Sequence, residues 1–173
     1  TGKYIDTTAW DVSAMQDKSI LAWYEKNANG SVKVYIGSDS EIFANQNSTD
    51  LFDFVGYSDK CTSPETITNI ELLNVASVKN MLRMFRYTGK NSMEVLDLGS
   101  KFDTSNVINM YSMFAATGYN KMTTIKLGDK FDTSNVTSMK YMFNETGYKA
   151  MTSLDLGDKF DTSKVTDMSN MFN

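Results

Sequence analysis

From Met93 onward the apolar residues fall into a pattern that returns every 29 positions. Each pass begins with a short alternating stretch: Met93–Leu98, Met122–Leu127 and Met151–Leu156. Within these stretches Leu96/Leu98, Ile125/Leu127 and Leu154/Leu156 sit two apart. A period of two predicts strands with one buried face. Stacking the copies predicts parallel neighbours about 4.8 Å apart. Gly99, Gly128 and Gly157 follow, where the chain has to turn and a side chain would obstruct. Then come Val107, Met110, Met113 and Phe114, repeated as Val136/Met139/Met142/Phe143 and Val165/Met168/Met171/Phe172. That spacing reads as the apolar stripe of a short helix. Asp-Thr-Ser at 103–105, 132–134 and 161–163 stands where an N-cap is expected. Gly118 and Gly147, inside Thr-Gly-Tyr, stand where a left-handed residue closes a helix.

Upstream, Ile67-TNIELLNVASVKNMLRMFRYTGK keeps the same phase with one residue deleted, so Val78, Met81 and Met84-Phe85 match Val107, Met110 and Met113-Phe114. Eleven of the twelve methionines belong to these units, in phase with Val and Phe, which reads as a stacked core. Residues 1–62 differ. Ser19-ILAWYEKN and Ser31-VKVYIGS alternate around Asn29-Gly30, a strong hairpin signal, and Ser48-Thr49-Asp50 precedes a brief apolar turn, Leu51–Val55. The expected organisation is therefore an N-terminal β-hairpin cap over 1–62 and a repeat array over 63–173. Its units run about 63–92, 93–121, 122–150 and 151–173, the last stopping after 23 residues, which leads us to expect that the natural chain continues. The fold class predicted is an α/β repeat solenoid of short parallel strands and short helices.

Composition narrows the chemistry. There is no histidine, which removes His-based nucleophilic pairs and most zinc and iron sites. The lone Cys61 forms no intrachain disulfide and reads as a small buried hydrophobe. A net charge of −4 with scattered lysines argues against a nucleic-acid face. No apolar run is long enough to span a membrane as a helix. No catalytic residue, cofactor or metal site is expected. Asp103, Asp132 and Asp161 could line up as a calcium ladder, but no calcium-loop spacing accompanies them.

The residues quoted, FDTSNVTSMKYMF and its copies, resemble the BspA-type (DUF285) leucine-rich-repeat-like surface proteins of bacteria. WDVSAMQDKSILAWYE with VYIGSDSEIFANQNSTDLF resembles the segment that precedes the first repeat in that family. The resemblance spans roughly residues 9–173. It implies a leucine-rich-repeat-like right-handed coil in an extracellular or wall-attached bacterial protein concerned with adhesion, and it supplies no catalytic residues.

Positions that vary between units are freed from the architecture and become the candidate binding residues. On the strands these are Val95 and Asp97, Thr124 and Lys126, and Ser153 and Asp155. On the following stripe they include Tyr111 and Tyr141, the residue type interfaces favour. The expected function is a non-enzymatic adhesion or recognition module whose partner is a host or extracellular-matrix protein or a glycan. A structural stalk that displays another domain is the alternative. A monomer, or weak end-to-end association through the open C-terminal repeat, is the expected state.

Overall fold

The computed structural model describes residues 9–62 and 66–173, and the chain divides into two units between Ile42 and Phe43. In the first unit, β1 (Trp10–Asp11), β2 (Leu21–Lys26) and β3 (Val32–Gly37) form an antiparallel sheet in that order. The β2–β3 register runs from Leu21↔Gly37 to Lys26↔Val32. At the turn Gly30 takes φ 80° and its N–H donates to the Asn27 carbonyl. Trp23 and Tyr35 face each other across the two strands and stack with ring centroids 5.4 Å apart.

Regular structure is sparse in the second unit. After β4 (Ile42–Phe43) come one 3-10 turn, Ile70–Leu72, and three brief strands: β5 (Leu73–Asn74), β6 (Val95–Asp97) and β7 (Thr124–Lys126). β6 and β7 pair in parallel as a two-stranded sheet, whereas residues 151–156 form no strand. Among the described residues there is no α-helix. The α/β solenoid of strands and helices expected from the sequence is therefore overturned: the chain is nearly all-β and turn, with small antiparallel and parallel sheets.

The backbone explains why the apolar stripes do not become helices. Along 81–88 the N–H groups alternate in purpose. Those of Met84, Arg86 and Thr88 close three-residue turns onto Met81, Arg83 and Phe85. Those of Met81, Arg83, Phe85 and Tyr87 leave the segment and donate to the carbonyls of Asn109, Tyr111, Met113 and Ala115. A helix would keep all of these bonds inside one segment. Left-handed residues recur every fourth position, at Arg83/Tyr87, Ser112/Ala116 and Tyr141/Glu145, and each breaks a helical path. Local side chains assist. The Asn80 and Asn109 carboxamides accept from the N–H groups of Leu82 and Tyr111, an alternative to the helical bond that short polar side chains offer.

We call each such run of turns a rung. Bridges Asn47↔Asn80, Asn80↔Asn109, Asn109↔Ser138 and Ser138↔Asp167 place five of them side by side. The first, around 45–57, uses the same bonding: Asp50, Phe52 and Phe54 donate to Leu82, Met84 and Arg86. Phe52, Phe85, Phe114, Phe143 and Phe172 form one continuous column, buried from Phe85 to Phe143 and open to solvent at Phe172, with neighbouring centroids 5.3–5.7 Å apart and planes within 15°. Met81, Met84, Met110, Met113, Met139 and Met142 fill the space around it and are fully buried.

Asp-Thr-Ser acts as a clamp between rungs in place of a helix cap. The Thr104 hydroxyl donates to the Asp132 carbonyl and accepts from the Asp132 N–H, both at 2.8 Å. Thr133 does the same to Asp161. The aspartate of each triplet turns its carboxylate onto the N–H of the serine two residues on. The threonines of Thr-Gly-Tyr reach the other way: Thr88, Thr117 and Thr146 donate to the Phe52, Phe85 and Phe114 carbonyls at 2.6–2.7 Å. Gly118 follows at φ 55°, with no room for a side chain, since a Cβ would lie 2.3 Å from that of Met122.

Candidate functional site

The predicted strand row comes together in part. Val95 faces Thr124 and Asp97 faces Lys126 in the β6–β7 register. Lys126 Nζ donates to Asp97 Oδ2 at 3.0 Å. That contact, with a further bond from the Gly99 N–H, holds the Asp97 carboxyl below the usual carboxylate range. The two charges of the row thus satisfy each other. Ser153 and Asp155 are exposed and lie on no strand, and the Asp155 carboxylate accepts the Gly157 N–H.

Tyr111 and Tyr141 do meet, edge to face with centroids 5.9 Å apart. Lys140 lies 5.4 Å from the Tyr141 ring. Beside Tyr111 runs a shallow groove of about 520 Å³ that reaches Arg83 and Thr137. Its lining is mostly amide, hydroxyl and cation, and it holds a single aromatic ring.

A more aromatic surface lies further along the same rungs, and the variable positions did not reveal it. Phe54 stacks on Tyr87 at 4.9 Å, and Tyr57 packs edge-on against both rings. Two rungs away Tyr119 stacks on Tyr148 at 5.2 Å. Lys90 bridges the gap. Its Nζ sits 4.6 Å from the Tyr57 centroid and donates to the Tyr57 hydroxyl at 3.1 Å, which raises the lysine pKa. An amide relay runs alongside, from Asn120 to the Asn91 carboxamide oxygen and from Asn91 to the Tyr57 carbonyl. Arg86, paired with Asp53 at 2.6 Å, flanks the Phe54–Tyr87 stack. The Asp53 contact is the main cause of its raised pKa. Phe54, Tyr57, Tyr87, Lys90, Tyr119 and Glu145 together line a groove of about 510 Å³, within the size range of small-ligand sites.

A signal for this surface did exist in the sequence. Leu51-Phe-Asp-Phe-Val-Gly-Tyr57 matches Met84-Phe-Arg-Tyr-Thr-Gly-Lys90 at an offset of 33, not 29. A search at a fixed period passes over it.

The comparisons with known proteins bear on the same rungs. A family model described as a Mycoplasma protein of unknown function, DUF285, matches residues 53–173, well over half of the chain. The chain belongs to the DUF285 family. The DUF285 match takes in every rung from Asp53 onward, including Phe54, Tyr57 and the Asp-Thr-Ser clamps. No curated protein and no solved structure matches the chain.

Among the described residues no three carboxylate or cysteine side chains are grouped so as to hold a metal ion. The aspartates of the repeated triplet are instead occupied in their own turns. The Ser134 hydroxyl and N–H lower the Asp132 pKa, and the Ser163 N–H and hydroxyl do so for Asp161. Cys61 is half-buried as a free thiol.

Proposed function

We propose that this DUF285 chain is a non-catalytic recognition module at a bacterial cell surface, binding an extracellular protein or glycan through side chains that the stacking framework leaves free. The observation that carries the reading is a division of labour. Repeated Met, Phe, Thr and Asp residues are used up in core, clamps and turns, while an aromatic series from four successive rungs stays partly open to solvent. Tyr57 and Tyr148 retain 38% and 61% of their accessible surface. Partly exposed aromatic rings held in place by stacking suit recognition, because little side-chain entropy is lost when a partner docks. The finer resemblance to BspA-type surface proteins supports the extracellular setting and the adhesive role.

The test is direct binding of the purified chain to immobilised extracellular-matrix proteins and to a glycan array. Saturable binding to at least one of them, with a dissociation constant in the micromolar range or tighter, is the expected result. Silence across both panels would overturn the reading and leave a spacer that displays some other domain.

A further inference from the structure

β3 stands at the edge of its sheet, and its open side is made by alternate residues of one kind. At the mouth of the hairpin the Asn27 N–H donates to the Ser31 carbonyl. Alternation from there turns the backbone groups of Lys33, Tyr35 and Gly37 toward β2, and those of Val32, Val34 and Ile36 away from it. Among the described residues the outward N–H and C=O groups meet no partner. The side chains of Val32, Val34 and Ile36 are 52%, 56% and 57% exposed. They share their face of the sheet with Tyr24, which lies opposite Val34 and packs on Trp10. Edge strands are ordinarily guarded by a proline, a bulge or a charge on the open face. β3 carries no such guard. Its register is unbroken, and its one charged residue, Lys33, belongs to the opposite face.

That opposite face is complementary to a copy of itself. Glu25 stands across from Lys33 and accepts from the Tyr35 hydroxyl at 2.8 Å. Lys33 Nζ lies 5.0 Å from the Tyr35 centroid. Each β3 thus offers a cation and, two positions on, an aromatic ring backed by a carboxylate. Turned antiparallel about Val34, a second β3 sets its Tyr35 and Glu25 against Lys33, and its Lys33 against Tyr35. The same turn lays Val34 on Val34 and Val32 on Ile36, so every outward backbone group finds a partner. A turn about Lys33 would oppose two lysines and leave Ile36 without a strand residue to pair. A turn about Tyr35 would leave Val32 so. Pairing and charge select one register.

We propose that β3 is a self-association edge: two copies of the chain join by antiparallel β3–β3 pairing centred on Val34, as a closed two-fold dimer. The pairing is independent of any ligand on the rungs. A contact one strand long belongs with the weak interfaces, and a dissociation constant of about 100 µM is expected.

The experiment is sedimentation velocity on the whole chain, from about a tenth to about ten times that concentration. The mass should rise from one copy toward two and stop there. Val34→Lys and Val34→Glu each bring like charges face to face on the two-fold axis, at an exposed site, and each alone should stay monomeric. Mixed in equal parts they should recover the dimer, because residue 34 then faces its opposite charge. Lys33→Glu places a carboxylate against Tyr35 and Glu25 of the other copy and should weaken association about fivefold. A chain that stays monomeric throughout, a mass that grows past two copies, or a mixture that fails to dimerise while both variants keep the native amide spectrum would each overturn the proposal. Should either variant at Val34 lose that spectrum, Lys33→Glu decides in its place: unchanged association refutes the register.

Discussion

The hairpin of the first unit and the rungs of the second reverse the usual relation between local preference and burial. β2 and β3 are rich in strand-forming residues and pair along their whole length. Yet Val32, Val34 and Ile36 remain more than half exposed. The rungs contain Asn, Ser, Asp, Gly and left-handed residues that no strand or helix favours, and the inner rungs enclose a buried column of Phe and Met. Regular secondary structure is thus no guide here to where stability resides. It resides where each turn finds its hydrogen-bond partners in the next turn.

The sharpest way to break that contrast is to damage one side chain in each region and follow urea unfolding. Phe114→Ala, from the centre of the column, should cost about 3–5 kcal/mol. Val34→Ala, at an exposed site of β3, should stay within about 0.5 kcal/mol. Comparable losses would refute the picture. Next in size is Gly118→Ala. It combines a left-handed backbone with a Cβ forced against Met122, and should cost about 1–3 kcal/mol. A neutral outcome would mean that the turn can re-form without its glycine. Thr117→Val keeps the shape and removes the donor to the Phe85 carbonyl. It should cost about 1 kcal/mol, read as a lower thermal midpoint with an unchanged native spectrum.

Acid should weaken the rungs in a defined direction. Asp97 and Asp132 titrate below their ordinary value, because Lys126 and Ser134 respectively hold the charged form. Their contribution is complete above the unfolded value of about 3.9 and disappears as pH falls through the lower folded values. The urea midpoint should therefore be flat near neutrality and drop on acidification below about pH 4. A midpoint that holds or rises there would contradict the turn geometry. The smallest effect is expected for Lys126→Ala: an exposed pair of this kind contributes about 0–1 kcal/mol, so a loss at the limit of measurement is predicted.

How much of this was legible in the sequence depended on whether the pattern recorded burial or bonding. Burial was readable for the inner rungs: the stripe Val107, Met110, Met113 and Phe114 is fully buried, whereas in the last stripe Met168 and Phe172 are about half exposed. The alternation around Asn29-Gly30 marked the strands that pair as β2 and β3. Conformation was not readable by the same means. A stripe at i, i+3, i+6 and i+7 fits a helix only loosely, and the repeated Asn or Asp at its start offers a turn in place of a cap. Which carbonyl an N–H will choose depends on the neighbouring rung, and single-segment periodicity carries no record of that neighbour. The aromatic groove escaped for a similar reason. Variation between units drew attention to Tyr111 and Tyr141, while Phe54 and Tyr57 lay in a rung shifted by four residues from the repeat.

Every second amide of a rung is bonded across to the next, and this has a mechanical consequence. Pulled by its C-terminus, the chain loads those cross-bonds a few at a time, as a zipper does, and not all together as in a sheared sheet. Release of one 29-residue turn frees about 100 Å of contour. A single-molecule trace should therefore climb in even steps of that length. A chain that yields by fixed increments takes up sudden tension in steps, each one leaving the remaining rungs stacked.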